Sequence, residues 1–169
     1  MILWNRDDLT KAINSAVFPY SQGGPLENMI AAKAIMASEA ATEGFKQYIK
    51  NVKENTHYLC YVLHECGCTV SDTENHLFLL NTRNSFGLTG LEAQKKLEEI
   101  GITTNKNMMP NDTLSPAITS GLRIGCAAIT TRGATKTDCA FLASIIFCYL
   151  RGFISTEEGK EMVKRLTSN

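Results

Sequence analysis

The residues best able to do chemistry lie between Asn105 and Gly133, a stretch with two arginines, Arg123 and Arg132. Arg123 sits in Ser120-Gly121-Leu122-Arg123-Ile124-Gly125, among apolar neighbours. A guanidinium in that setting is expected to be partly desolvated and to need a planar anionic partner. A small-molecule carboxylate would satisfy it through a two-pronged charge-assisted bond. An internal Asp or Glu would do so equally well on chemistry alone. Gly121 and Gly125 leave room for a ligand or for backbone to approach on either side.

A second candidate is Gln22-Gly23-Gly24-Pro25, where two adjacent glycines let backbone N–H groups point at an anion. A helix start follows, and its dipole favours negative charge there; a plain turn is the alternative. Lys106, between Asn105 and Asn107, invites a Schiff-base reading, which would require a pKa depressed by burial. His64, Cys66 and Cys68, with Cys60 a helical turn earlier, invite a metal reading. The C-x-C spacing is tight for a zinc knuckle and no second pair answers it, so buried or half-buried thiols are the expectation and no metal site is assigned. His76 opens an apolar strand and reads as a structural histidine bonded to backbone. His57 falls among polar helix positions and is expected to be solvated. No nucleophile is tied to a base by sequence, so no catalytic residue is assigned within the chain.

Composition narrows the function classes. Lys+Arg and Asp+Glu are balanced at 17 each, for a formal net charge of zero. That leaves no basic field for nucleic acid or an anionic membrane. The apolar run Cys139–Leu150, broken by Ser144, is too short to span a bilayer. The opening MILWNRDDLT does not read as a signal peptide, and the six cysteines are expected to be reduced thiols in a cytoplasm.

The elements that must position these residues follow from periodicity. Asp7–Ile13 can form a short helix, and Phe18-Pro19 and Pro25 impose an irregular loop. Leu26, Ile30, Ala34, Ala37 and Ala41 repeat at helical spacing, as do Phe45, Ile49, Val52, Thr56, Leu59 and Leu63 in a second helix. Both stripes read as core, although the low charge of the first also suits packing against something outside the chain. Strands are expected at 68–70, 76–80, 102–104 and 118–124. Thr89 with Glu92 forms a capping box for a helix stopping at Gly101. Thr135 with Asp138 starts an apolar helix ending near Arg151, and Ser155 with Glu158 starts a last one. The order predicts an α+β (α/β) fold, a small and mostly antiparallel sheet with helices packed on one side.

Several blocks taken together resemble serine hydroxymethyltransferase: INSAVFPYSQGGPL, Thr73-Glu74-Asn75-His76-Leu77, Asn105-Lys106-Asn107, Pro110-Asn111-Asp112, Ser115-Pro116, Thr119 to Gly125 and Thr130-Thr131-Arg132-Gly133. The resemblance covers nearly the whole chain. It implies the C-terminal small domain of a fold-type I pyridoxal-phosphate-dependent transferase, with a leading segment and phosphate-type loop at 1–25 and the small domain with its leading helix at 26–169. It further implies that Arg123 holds the amino-acid carboxylate, that Gly23 and Gly24 bind the cofactor phosphate of a neighbouring subunit, and that Asn107 and Phe18 belong to the folate site. By the same resemblance Lys106 is not the cofactor lysine. That lysine, the aspartate under the pyridine nitrogen, the stacking histidine and the substrate tyrosines belong to a preceding part of the family's chain, and Met1-Ile2-Leu3 resembles the strand just after it. The implied activity is reversible transfer of a one-carbon unit from serine to tetrahydrofolate. The chain is expected to be inactive without the missing part, to pair as a homodimer or with an N-terminal part or a full-length enzyme, or otherwise to serve as a non-catalytic binding or interaction module. Tyr20 and Cys126-Ala127 depart from the family pattern.

Overall fold

A computed structural model describes residues 2–168, which divide into two compact units, 2–45 and 46–168. In the first, α1 (Asp7–Ser15) is followed by a wide helical turn over 16–21 that Phe18 interrupts with extended angles (φ −137°, ψ 126°). The loop expected there is therefore partly helical. α2 (Glu27–Ala40) follows, and α3 (Glu43–Glu65) begins at the boundary between the units. None of the described residues up to Phe45 is buried. The first stripe, read as core, is thus exposed in this chain: α2 spreads its apolar residues around the helix with no single polar face, and Leu26, Met29, Ile30, Ile35 and Met36 are all exposed.

The second unit has a core. α3 buries Val52, Thr56, Leu59 and Leu63, the later part of the expected stripe, and ends before Gly67 at φ +83°, a left-handed position that glycine adopts without strain. The sheet comprises β1 (Leu77–Asn81), β2 (Asn105–Asn107) and β3 (Gly121–Gly125), ordered β1-β3-β2 and antiparallel throughout. Phe78 pairs with Ile124 and Leu80 with Leu122, and these four side chains are buried with those of α3, α5 (Gly90–Glu99) and α7 (Lys136–Arg151). The fold class is a small α+β domain, as read from the element order.

Expected strand positions shift where pairing decides them. Residues 68–70 contribute only a single bridge, Val70 to Leu80, and the strand placed at 102–104 forms instead at 105–107. Ile118 to Ser120 belong to a turn: the Ile118 and Thr119 N–H groups donate to the Ser115 carbonyl, and Thr119 sits at φ +61°. Two short helices, α4 (Thr82–Phe86) and α6 (Ala127–Thr131), join the expected ones. Capping boxes at Thr89/Glu92, Thr135/Asp138 and Ser155/Glu158 open α5, α7 and α8 (Thr156–Thr167), with both reciprocal bonds formed in each.

Candidate functional site

Strand alternation builds the site. Leu122 and Ile124 point into the core, so Arg123 between them faces outward. The expectation of a desolvated guanidinium is corrected: Arg123 is exposed, because the helices cover only the other face of the sheet. No carboxylate among the described residues pairs with it. Asn105 lies directly opposite Arg123 in the β2–β3 register, and Asn107 two residues along β2 opposite Gly121. Arg123, Asn105 and Asn107 therefore share one sheet face. This places a fork of cationic donors beside two amides able to donate and accept.

The flanking glycines are required by backbone proximity. A Cβ on Gly121 would lie 2.5 Å from Met109 Sδ and 2.9 Å from the Leu80 carbonyl oxygen, and one on Gly125 2.8 Å from that of His76. The approach read from the sequence is made by the chain itself.

Asp112 organises the loop that delivers β3. Its carboxylate accepts from Met109 N–H (3.1 Å), Leu114 N–H (3.0 Å), Ser120 N–H (2.8 Å) and Ser120 Oγ–H (2.7 Å). The Leu114 N–H and the Ser120 hydroxyl, followed by the remaining backbone donors, hold its pKa well below the usual carboxylate range. The Ser120 carbonyl in turn accepts from the N–H groups of Thr82 and Arg83 and from the Thr82 hydroxyl. α5 braces the same region, since Gly90 and Leu91 N–H donate to the Thr119 and Ile118 carbonyls. Gln94 Oε1 accepts from Lys106 N–H and ties β2 to that helix. The sequence reading attached no role to Asp112; its signal was the Pro-Asn-Asp turn chemistry ahead of a strand.

The remaining candidates fall elsewhere. Asn107 is half-buried and donates one amide hydrogen to the Met108 carbonyl, leaving its other polar atoms for a ligand. Lys106 Nζ donates to the Pro116 carbonyl at 3.4 Å, a surface contact rather than the buried setting a Schiff-base lysine needs. His76 is exposed and its backbone carbonyl, not its ring, accepts from Thr56, so the structural role expected for the ring is not seen. His57 is exposed. Cys60 and Cys68 are buried and Cys66 half-buried, with burial pushing the first two thiols up to about 11. Cys126 is buried against Cys139 and Thr56; the hydrogen bond that the Cys139 thiol donates to Cys126, together with burial, pushes the Cys139 thiol up.

In the leading unit, Gly23 and Gly24 are exposed, and a Cβ on either would meet nothing within 4 Å. α2 starts two residues beyond Pro25 with no side-chain cap; the Met29 N–H donates to the Leu26 carbonyl, and the Glu27 and Asn28 N–H groups are open to an anion. That arrangement fits a phosphate group. Phe18 is exposed and lines a cleft of about 770 Å³ with Trp4, Ile13, Val17 and Lys33.

The 46–168 unit is thus a small α+β domain that carries Arg123 on an open sheet face, and the leading unit separately carries the Gly23-Gly24 loop ahead of α2. Residues 4–146 match the family model of serine hydroxymethyltransferase, and the chain belongs to that family. It is 40% identical over its whole length to the "Probable serine hydroxymethyltransferase" of Mesomycoplasma hyopneumoniae (strain J), covering 42% of that protein. It is 44% identical over 86% of its length to the serine hydroxymethyltransferase of Nitrosomonas europaea, of which 35% is covered. The enzyme of Leuconostoc citreum is 40% identical over 96% of the chain, with 40% of its own length covered. The chain thus spans about two-fifths of the length of the curated relatives it matches, in their C-terminal portion.

Proposed function

We propose that this chain supplies the amino-acid carboxylate grip, part of the folate site and a phosphate loop to a serine hydroxymethyltransferase, interconverting serine plus tetrahydrofolate with glycine plus 5,10-methylenetetrahydrofolate. The observation that carries this is Arg123, held on the open sheet face with no internal acid on it and with Asn105 and Asn107 on the same face. Its fork binds and orients the substrate carboxylate; Asn107 offers an acceptor and a donor to the pteridine ring; Phe18 supplies an apolar wall. Gly23 and Gly24, ahead of α2, cradle the phosphate of pyridoxal phosphate contributed by a second subunit. The cofactor supplies the electron sink for carbanion chemistry when bound. Residues 26–169 are read as the small domain of a fold-type I transferase with its leading helix, and residues 1–25 as the phosphate-loop segment before it, working as a dimer in the cytoplasm.

On this reading the lysine and aromatic residues of the reaction centre belong to the part of the family's chain that this chain does not cover. The exposed apolar surface of α2 favours completion by another polypeptide over a free-standing module. Reconstitution tests this. The chain is co-expressed with the N-terminal three-fifths of the Nitrosomonas europaea relative, and conversion of serine to glycine is followed with tetrahydrofolate present. Turnover that needs both pieces and is lost with Arg123→Ala supports the reading. A stable complex that binds glycine but never turns over would favour the non-catalytic module.

A further inference from the structure

The segment 108–120 joins β2 to β3, far longer than a hairpin turn of about two to five residues. A short turn fixes the register of its strands through its own geometry; a long one does not, and β2 offers only three paired residues. A slip by one residue would move Asn105 off Arg123 and turn one strand's side chains to the other face. The register that sets Arg123 beside two amides therefore needs a lock outside the strands.

Asp112 occupies the position of that lock. Its Oδ2 accepts both from the Met109 N–H (3.1 Å), two residues past the end of β2, and from the N–H of Ser120 (2.8 Å), the last residue before β3. A single oxygen atom thus ties the exit of one strand to the entry of the next. Oδ1 accepts from the Leu114 N–H (3.0 Å) and the Ser120 hydroxyl (2.7 Å). These four bonds use the acceptor capacity of the carboxylate, so Asp112 is committed to the chain and is not free to serve as a base. Ser120 passes the hold to the far strand, since its carbonyl accepts from the Thr82 and Arg83 N–H groups just past β1.

Thr119, next to it, sits at φ +61°, a costly conformation for a β-branched residue. The Gly90 N–H donating to its carbonyl (2.9 Å) and its own N–H on the Ser115 carbonyl (3.0 Å) keep it there. A Cβ on Gly90 would collide with the Thr119 hydroxyl and the Gly121 carbonyl, so α5 can approach this turn only through glycine. Strain held by bonds from several sides shows that the entry to β3 is over-determined.

We propose that Asp112 is the positioning residue of the carboxylate site: it bridges the exit of β2 to the entry of β3 and so fixes the register that sets Arg123 opposite Asn105 and Asn107 opposite Gly121. It touches no substrate and acts through Arg123; the inference rests on the reading of Arg123 as the carboxylate grip.

The free chain and the reconstituted enzyme each supply a test. In the 169-residue chain, Asp112→Asn turns an NH2 group toward an N–H donor whichever way the amide sits. Cross-strand nuclear Overhauser contacts pairing Lys106 with Leu122 are then lost or re-paired, while those of Leu80 with Leu122 in the β1–β3 pair persist. In the reconstituted enzyme, the glycine concentration that half-saturates α-proton exchange rises about tenfold in Asp112→Asn, with a smaller change in maximal rate. On top of Arg123→Lys the same substitution adds less than about twofold, because residues that act through one another are not additive. Thr135→Ala, which loses a helix-cap bond in the same unit, leaves the half-saturating concentration unchanged.

The proposal is overturned by unchanged β2–β3 contacts, by an unchanged half-saturating concentration, by a full rise on top of Arg123→Lys, or by an equal rise in Thr135→Ala. If Asp112→Asn does not fold, Ser120→Ala, which removes the hydroxyl bond alone, must still raise that concentration by about threefold. Failure of the carboxylate reading itself looks different: Arg123→Ala then exchanges as fast as wild type, whereas failure of the role of Asp112 leaves Arg123→Ala defective and Asp112→Asn normal.

Discussion

The two units of this chain solve the same problem differently. Both are rich in helix-forming, apolar sequence, yet residues 46–168 bury a continuous core while none of the described residues before 46 is buried. Local sequence is enough to specify a helix such as α2, but a helix with apolar residues spread around it needs surroundings that its own unit does not provide. The second unit specifies its surroundings internally, through Phe78, Leu80, Leu122 and Ile124 on one face of a three-stranded sheet.

The sharpest contrast is between large-to-small substitutions in the two units. Phe78→Ala, at a side chain 1% exposed, should destabilise the chain by about 3–5 kcal/mol in denaturant unfolding. Met29→Ala, at a side chain 50% exposed, should change stability by no more than about 0.5 kcal/mol in the chain alone. A comparable loss at Met29 would mean that α2 is covered and would break the comparison.

Glycines give the next contrast. Gly121→Ala drives a Cβ into Met109 and the Leu80 carbonyl and should cost about 1–3 kcal/mol, read from the same unfolding curves. Gly24→Ala meets no neighbour and should leave stability unchanged. Its effect should appear only as weaker cofactor retention in the reconstituted enzyme.

How much of this was legible in the sequence follows the range of the interactions. The capping boxes at Thr89, Thr135 and Ser155 and the left-handed stops at Gly67, Gly101 and Gly152 were readable because each depends on residues a few positions apart. The start of β3 was placed at Ile118 rather than Gly121, and β2 at Ile102 rather than Asn105, because strand limits are set by partners far away in the chain. α4 escaped notice because its five residues carry no periodicity; the Asn81 side chain accepting from Asn84 N–H and the left-handed Gly87 define it. Arg123 was singled out by type and setting, but its exposure was not read, since which face of a strand is covered is a tertiary fact. Apolar periodicity in α2 likewise could not say whether its cover lies within this chain.

Smaller effects test the local devices. Thr135→Ala removes the side-chain acceptor that opens α7 and should cost about 1 kcal/mol by thermal unfolding. Asp112 adds acid sensitivity. Its folded pKa is lowered, so its contribution is present above the ordinary carboxylate value and is lost as pH falls through the folded pKa. Asp112→Asn should therefore flatten the fall in stability below about pH 4, near the unfolded carboxylate value. An unchanged acid limb would mean that the loop network does not couple to folding.

Arg123 is best tested by exchange of the glycine α-proton for deuterium, followed by NMR, in the chain reconstituted with the N-terminal portion of a relative and supplied with pyridoxal phosphate and tetrahydrofolate. A protein-free control sets the background. Exchange well above background that collapses with Arg123→Ala and is only partly retained with Arg123→Lys is the predicted result. Exchange equally fast in wild type and Arg123→Ala would contradict the assignment of the open sheet face as the carboxylate site.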